Sequence, residues 1–154
     1  MEVARRTREK VARGHATLEV LAGRAREGAM KVSSFRDLDV WNRSIDLLPK
    51  VYQLLRQLPV EERFALADQI RRACVSIPAN IAEGHARQHR KEYVQSLFVA
   101  KGSLAELQTL LVAGRKLDYF SSADTREVEL EMEEIAKMLN GLVRSLRRRI
   151  SRGS

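Results

Sequence analysis

The sequence predicts an all-α protein, an antiparallel up-down-up-down four-helix bundle over residues 34–150. Three observations support this prediction. Apolar residues recur at spacings of three and four through four long segments, which is the period of an amphipathic helix. No segment alternates polar and apolar residues in the way that a half-buried strand does. The connections between the segments are short, and short connections make consecutive helices antiparallel neighbours.

The first helix is predicted over residues 37–57, with Ser34 or Asp37 as its N-terminal cap. Pro49 falls inside the apolar pattern, which continues through it, so we expect a bend at this position and not an end. The apolar stripe repeats at spacings of four, three, four and three, and it consists of Trp41, Ile45, Leu48, Tyr52 and Leu55.

The second helix is predicted to begin after Glu61 and Glu62 and to run to Glu83, where Gly84 ends it. Pro78 lies inside this helix and removes one backbone hydrogen bond, so we expect a second bend there. The apolar stripe repeats at spacings of four, three, four and four, and it consists of Leu66, Ile70, Ala73, Ile77 and Ile81.

Polar side chains accompany this stripe, and any that the fold buries need hydrogen-bond partners. We expect a polar network that braces the bend at Pro78. Its predicted members are Arg71, Arg72, Ser76, Asn80 and Glu83 on the second helix, with Ser103 or Glu106 opposite them on the third. A clamp for phosphodiester chemistry is the functional alternative, but one carboxylate without a second acid or a metal ligand gives little support for a nuclease.

The third helix is predicted over residues 90–116 and the fourth over residues 123–149, with residues 151–154 as a disordered tail. Gly102 and Ser103 keep one face of the third helix narrow, and we expect Gly102 to lie opposite the bend in the second helix. Both helices carry apolar seams with alternating spacings of three and four. The seams are Leu97, Ala100, Leu104, Leu107 and Leu111 on the third helix, and Val128, Met132, Ile135, Leu139, Leu142 and Leu146 on the fourth.

The chain of 154 residues carries 28 Lys and Arg against 20 Asp and Glu, a formal net charge of +8 and a pI near 10.1. This excess favours polyanionic partners, although a charge of this size is also ordinary for a soluble domain. Residues 1–33 hold eight basic and four acidic residues, which is half of the excess. Because apolar residues are sparse there, we expect a basic N-terminal extension that is mobile or partly helical, with a nucleic-acid-gripping arm as the functional alternative.

The antiparallel order brings three parts of the chain together at one end of the bundle. They are the start of the first helix, the loop between the second and third helices, and the end of the fourth helix. We predict that this basic end contacts the phosphates of nucleic acid without sequence preference, because no aromatic residues interleave with its cations and no base-reading motif is present. The alternative is helix stabilisation, since cations near helix C-termini oppose the macrodipole. The basic end is defined by nine residues: Arg36, Arg87, Arg90, Lys91, Arg144, Arg147, Arg148, Arg149 and Arg152.

Patterns for catalysis or metal binding are weak or missing in the sequence. It contains no phosphate-cradling glycine loop, nucleophile elbow or cysteine-histidine pair. His85, His89 and Glu92 are spaced four and three apart, but the expected loop breaks the helix that would align them as metal ligands. The single cysteine, Cys74, cannot form an internal disulfide. We predict a non-enzymatic protein with no cofactor and no metal.

We also expect a cytoplasmic protein that does not contact a membrane. No apolar run approaches the roughly 18 residues of a membrane-spanning helix, and the N-terminus lacks the apolar centre of a secretory signal. Both points concern the sequence pattern alone.

Five segments carry a resemblance to a known family: FRDLDVW at 35–41, QIRRACVSIPANIAEG at 69–84, KEY at 91–93, AKGSLAEL at 100–107 and MLNGL at 138–142. In order and spacing they resemble the four-helix-bundle proteins encoded by intervening sequences in bacterial 23S rRNA genes. That family is related to the accessory protein of diversity-generating retroelements. The chain departs from it at Ala86 and His89, where relatives tend to have glycine and a capping serine. Met30 would make a natural start for this family, so whether residues 1–29 belong to the native protein stays open.

The resemblance implies a closed homopentamer, nucleic acid connected with mobile elements and, in the retroelement branch, a reverse-transcriptase partner. Together with the charge pattern, it leads to the first hypothesis: a non-enzymatic, oligomeric helical bundle that binds RNA or DNA electrostatically through the basic end. The second hypothesis is a protein-interaction scaffold that does not bind nucleic acid.

Overall fold

The computed structural model describes residues 33–153. Along these residues the chain forms four α-helices and two short 3-10 turns and no strand, so the predicted all-α class is confirmed. The helices are α1 (Asp39–Leu55), α2 (Leu66–Ala86), α3 (Arg90–Lys116) and α4 (Ser122–Arg152), and the 3-10 turns are Phe35–Asp37 and Val60–Glu62. The basic N-terminal extension predicted for residues 1–33 lies almost wholly outside the described residues.

The four helices form a ring of neighbours in which α1 and α3 each pack against both α2 and α4. Ion pairs join α1 to α4: Nη1 of Arg43 lies 3.9 Å from Oε2 of Glu134, and Nζ of Lys50 lies 2.8 Å from Oε1 of Glu127. Residue numbers rise along α1 and fall along α4 between these pairs, so the two helices run antiparallel. The antiparallel direction of α1 and α4 is the one that an up-down-up-down bundle requires. The order of the whole bundle stays a prediction.

One continuous apolar core fills the space between the helices. On α2 and α3 it follows the predicted stripes, and on α4 it departs only where Val143 is buried in place of Leu142. On α1 the predicted stripe is wrong by one residue. Tyr52 is 43% exposed and Trp41, Ile45 and Leu48 are only partly buried, whereas the buried positions, again three and four apart, are Val40, Ser44, Leu47, Val51 and Leu54. The largest fully buried side chains come from all four helices and are Leu47, Ile70, Ile77, Ile81, Leu97, Leu107, Leu111, Met132, Ile135 and Leu139.

Ser34 and Asp37, the residues predicted to cap the first helix, instead cap the 3-10 turn that precedes α1. The Ser34 hydroxyl accepts a hydrogen bond from the Arg36 N–H at 3.2 Å, and the Asp37 carboxylate accepts one from the Ser34 N–H at 3.1 Å. This capping box closes the 3-10 turn Phe35–Asp37, and α1 itself begins at Asp39. The predicted boundaries of 37–57 were therefore about two residues too wide at each end.

Helix α2 passes through Gly84 and ends at Ala86, so the predicted stop at Gly84 is wrong. Gly84 is buried, and a Cβ built on it would lie 2.7 Å from Cβ of Ser96 and 2.7 Å from Cδ2 of Tyr93. These distances are shorter than carbon atoms tolerate. Glycine stands at this position because α3 approaches the backbone of α2 too closely for any side chain.

Gly102 does not lie opposite the bend in α2, so that prediction is also wrong. It is exposed, and no atom would lie within 4 Å of a Cβ built on it. Its neighbour Ser103 is the residue that faces α2. A helix turns by about 100° per residue. Because Ser103 faces α2, the preceding residue, Gly102, points away from it.

Helix α4 continues to Arg152, past the predicted end at residue 149. The Ser151 hydroxyl donates to the carbonyl oxygen of Arg147 at 3.0 Å, and the Gly153 N–H donates to that of Ile150 at 3.2 Å. Ser151 and Arg152, which were assigned to a disordered tail, are thus helical because the last carbonyls of α4 still find donors.

Helix α3 is long and apolar enough, by length and composition alone, to cross a membrane. In this structure 44% of the relevant window is buried inside the bundle. An apolar core helix passes the same test, and α3 packs against both α2 and α4. The absence of membrane contact stays a prediction.

Candidate nucleic-acid interface

A groove between α3 and α4, with a volume of about 580 Å³, contains much of the predicted basic end. At its centre is Phe98, whose ring centroid lies 5.4 Å from Nζ of Lys101 and 5.1 Å from Cζ of Arg147. Lys101 shares α3 with Phe98, whereas Arg147 reaches the ring from α4. We call this the aromatic groove, and it is lined by Phe98, Lys101, Asn140, Val143, Arg144, Arg147, Arg148, Ser151 and Arg152.

The aromatic groove corrects one prediction. No aromatic residue was expected among the cations, yet Phe98 lies between two of them. In the sequence, Arg147 is remote from Phe98, and only the packing of α4 against α3 brings them together. Lys101 and Phe98 are three apart on one helix face, which was the available signal.

A second groove, with a volume of about 480 Å³, lies where the loop before α3 meets the end of α4. It brings together three predicted residues, Arg90, Lys91 and Arg149. Because successive residues of a helix are turned by about 100°, Arg149 points to a different side of α4 from Arg147. We call this the loop groove, and it is lined by Gln88, His89, Arg90, Lys91, Arg149, Ile150 and Gly153.

Two of the nine predicted residues line neither groove. Arg87 is exposed and forms an ion pair with Glu83 one helical turn earlier, and this hydrogen bond raises the pKa of the guanidinium. Arg36 lies over the ring of Phe35, with Cζ 4.7 Å from the ring centroid. The interface is therefore narrower than predicted, with seven of its residues in the two grooves.

Acidic side chains in the first half of α4 form ion pairs with neighbouring helices, whereas the arginines in its last turns form none within residues 33–153. Lys50 on α1 forms its ion pair with Glu127, and this contact raises the pKa of the lysine. Arg115 on α3 forms an ion pair with Glu129. By contrast, none of the exposed arginines from 144 to 152 forms an ion pair with any residue between 33 and 153. Their positive charge is not neutralised by this part of the chain.

The polar network around Pro78 forms with fewer members than expected. The hydroxyls of Ser76 and Ser103 are 2.7 Å apart, which links α2 to α3 by a hydrogen bond. The Asn80 amide donates to the carbonyl oxygen of Ser76 at 2.8 Å and to its hydroxyl at 3.0 Å. The Ser103 hydroxyl also donates to the carbonyl oxygen of Val99. This network satisfies polar groups beside the buried Pro78.

The other predicted members of the network lie elsewhere. Arg72 forms an ion pair with Asp68 at 2.8 Å, and Arg71 donates to the carbonyl oxygen of Arg63 at 3.3 Å. Glu83 is occupied by Arg87. Arg71 and Arg72 therefore do not join Glu83 and Asn80, and the clamp considered for phosphodiester chemistry is not formed.

Burial holds two titratable side chains, Cys74 and Tyr93, in their neutral forms. Burial raises the pKa of the Cys74 thiol to about 12, so this thiol is protonated and a poor nucleophile at neutral pH. Burial also raises the pKa of Tyr93 to about 12. Among residues 33–153, no group of three or more His, Cys, Asp and Glu side chains is arranged to hold a metal ion.

The structure defines a class of protein: an all-α four-helix bundle whose one end carries two basic grooves. The chain belongs to the 23S rRNA-intervening sequence protein family, whose sequence model matches residues 36–141. It is similar to a crystal structure of a protein with unknown function from the S23 ribosomal protein family from Bacteroides thetaiotaomicron. That similarity has 25% identity and a TM-score of 0.62, and it covers 68% of this chain and 97% of the other. A comparison with curated proteins found no match.

Five of the nine residues of the basic end lie after the segment that matches the family. Residues 144–152 follow the last matched residue, 141. The match therefore establishes the family of the bundle and does not cover the arginines from 144 to 152.

Proposed function

We propose that this chain is a non-enzymatic, oligomeric helical bundle that binds RNA or DNA electrostatically through its basic end. The carrying observation is the contrast along α4, where acidic side chains are paired with α1 and α3 while the last turns hold exposed arginines without such pairs. A surface of this kind gains free energy on binding phosphates, because each contact releases condensed counterions from the nucleic acid.

Helix stabilisation alone does not account for this cluster. Cations at a helix C-terminus contribute about 0.3–1 kcal/mol each, and the effect falls off within the last turn. Helix α4 ends at Arg152. Arg144, Arg147 and Arg148 lie four to eight residues before that end, so the macrodipole gives little reason for three arginines there.

The oligomer in this proposal is a closed ring of five copies in the cytoplasm, with a reverse transcriptase as a partner in the retroelement branch. The family resemblance supports the ring and the reverse-transcriptase partner, and the sequence pattern supports the cytoplasmic location. Exposed apolar side chains also support self-association, since Val75, next to Ser76 on α2, and Val99, one turn before Ser103 on α3, are both exposed. A ring would repeat the basic end around one rim, and repeated weak phosphate contacts would add through avidity.

The second candidate, a protein-interaction scaffold, is favoured by a different observation. Phe64 is 86% exposed and Val60 is 75% exposed, and both lie in the connection between α1 and α2. Two large apolar side chains presented to solvent so close together are typical of a protein-binding surface.

Binding to labelled single-stranded RNA and duplex DNA across a salt series tests the proposal. The variant carries Arg147→Glu, Arg148→Glu and Arg149→Glu. The matched control carries Arg56→Glu, Lys116→Glu and Arg126→Glu, which are exposed residues away from the two grooves. Both triple variants lower the net charge by six, because each replacement removes one positive charge and adds one negative charge. They differ only in where that change falls.

We expect the first variant to weaken binding by at least tenfold at low salt and to flatten the dependence of log K on log salt concentration. The control should lose much less affinity. Equal losses in both variants would attribute binding to net charge and not to the basic end. Absence of binding by the unaltered protein at low salt would reject the proposal and favour the scaffold.

A further inference from the structure

We propose that the aromatic groove is a base-stacking site that makes this protein prefer single-stranded nucleic acid to a duplex. The inference rests on the proposed function and names the form of nucleic acid that the basic end takes. It starts from Phe98, which is 36% exposed on α3 and lies among cations, not in the core.

Two phosphate-binding groups, one from each helix, lie close to the Phe98 ring. Nζ of Lys101 and Cζ of Arg147 lie 5.4 Å and 5.1 Å from its centroid, within the roughly 6 Å of a cation-π contact. Arg144 and Arg148 line the same groove. A phosphate held by any of these cations leaves the attached nucleotide beside an aromatic face.

A duplex cannot use such a face. Its bases are stacked on one another and present only their edges in the grooves. Unpaired bases, by contrast, splay out and stack on aromatic rings or on arginine guanidinium planes. Because Arg147 lies over the Phe98 ring, an unpaired base stacks either on that guanidinium or on the ring when the arginine contacts a phosphate. Either contact adds to the affinity for a single strand and adds nothing for a duplex.

The size and polarity of the groove fit a nucleotide. Its volume of about 580 Å³ falls within the range of about 300–1,000 Å³ that small-molecule sites occupy. Asn140 and Ser151 line it together with the cations and supply neutral hydrogen-bonding groups. The loop groove is not lined by any Phe, Tyr or Trp, so we assign stacking to the aromatic groove alone.

The test compares Phe98→Leu with the unaltered chain by fluorescence anisotropy, using an unstructured single-stranded RNA and a duplex of matched total charge. Leucine keeps the apolar bulk and removes the π face. We expect the dissociation constant for the single strand to rise about tenfold and that for the duplex to change less than twofold. The salt slope should stay the same, because no phosphate contact is removed.

Two variants serve as controls. Phe64→Leu makes the same replacement at an exposed ring that also lies beside an arginine, Arg63, in the connection between α1 and α2. It should leave both dissociation constants unchanged. Phe98→Tyr keeps the aromatic face and should retain the preference for the single strand. Unfolding curves and the oligomer mass are measured for every variant.

Several results would overturn the stacking site. The first is unchanged single-strand binding by Phe98→Leu, and the second is an equal loss of affinity for both nucleic acids. The third is a change in oligomer mass, which would place the Phe98 side chain between copies. Binding of a poly-glutamate probe as tight as that of the single strand would indicate a general polyanion site. The proposed function survives these outcomes as long as the arginine triple variant still loses binding, and it fails separately if neither nucleic acid binds.

Discussion

Single residues fix the distance between neighbouring helices in this bundle, and Gly84 is the clearest case. A glycine at the end of an apolar pattern commonly ends a helix, which is why a stop was predicted there. Among the described residues no glycine has a positive φ, and α2 continues to Ala86. The close approach of Ser96 and Tyr93 is a tertiary contact, and no pattern local to α2 reveals it.

Replacing Gly84 with alanine should destabilise the protein. Alanine favours a helix by about 1 kcal/mol over glycine, but its Cβ would overlap Cβ of Ser96, which belongs to a packed helix and cannot simply rotate away. Overpacking of this kind costs about 1–3 kcal/mol, so we expect a net loss of about 1 kcal/mol in the free energy of unfolding. Urea denaturation measures this change.

Gly102→Ala is the matched control for this substitution. Gly102 is also helical, but it is exposed, with open space around its Cα. We expect a gain of about 0.5–1 kcal/mol there from helix propensity alone. If Gly84→Ala stabilised the protein to the same extent, close helix packing would not be the reason for this glycine.

At the level of elements, the helices were predictable and their ends were less so. The three-and-four spacing of buried residues locates all four helices, because burying one face is what stabilises them. Their ends depend on individual caps, such as the Gly153 N–H that donates to the carbonyl oxygen of Ile150 beyond the predicted end of α4. The grooves depend on which side chains of α3 meet which of α4, and a periodic pattern does not specify that register.

The N-terminus of α4 has a capping box whose effect should depend on pH. The Asp124 carboxylate accepts a hydrogen bond from the Ser121 N–H at 2.7 Å, and the Ser121 hydroxyl accepts one from the Asp124 N–H at 3.1 Å. These hydrogen bonds hold the pKa of Asp124 below its ordinary value of 3.8. A lowered pKa in the folded state means that the carboxylate stabilises the fold above the ordinary value and loses this effect as pH falls through the lowered one.

We therefore expect Asp124→Asn to reduce the free energy of unfolding at pH 7 and to matter progressively less as the pH falls below 3.8. Unfolding curves of both proteins from pH 7 to pH 2.5 measure the difference. Asp118→Asn is the control, because Asp118 lies in the turn before α4 and takes no part in the capping box. A difference between the Asp124 variant and the unaltered protein that had the same size at pH 7 and at pH 2.5 would exclude a role for the carboxylate charge.

For the whole molecule, the distribution of charge matters more than its total. The net charge of +8 could be read from the sequence, and so could the cluster of arginines at the end of the fourth helix. That Arg43, Lys50 and Arg115 form ion pairs with acidic side chains in the first half of α4 is a property of the packed bundle. The sequence therefore located the basic end, and the structure divided it into two grooves and placed an aromatic ring in one of them.

The proposed assembly makes a prediction at this scale. A ring of five copies has five times the 17.5 kDa mass of the chain. We expect Val99→Glu to lower the measured mass, because Val99 is 53% exposed on α3 beside the bond between α2 and α3, and a charge there would be buried on association. Sedimentation equilibrium or light scattering gives the mass.

Leu130→Glu is the control for this change, since Leu130 is similarly exposed but lies on α4. It should leave the mass as it is. An unchanged mass for Val99→Glu would exclude this face as the contact between copies, and a monomeric unaltered protein would exclude the ring.

The burial of Cys74 has a practical consequence for all of these measurements. It is the only cysteine in the chain, it is fully enclosed, and burial raises the pKa of its thiol to about 12. A cysteine introduced at an exposed position such as Arg144 or Phe64 would then be the one readily alkylated sulfur in the protein. Spin labels or fluorophores can thus be attached at either site without first removing the native thiol, and distances between copies become directly measurable.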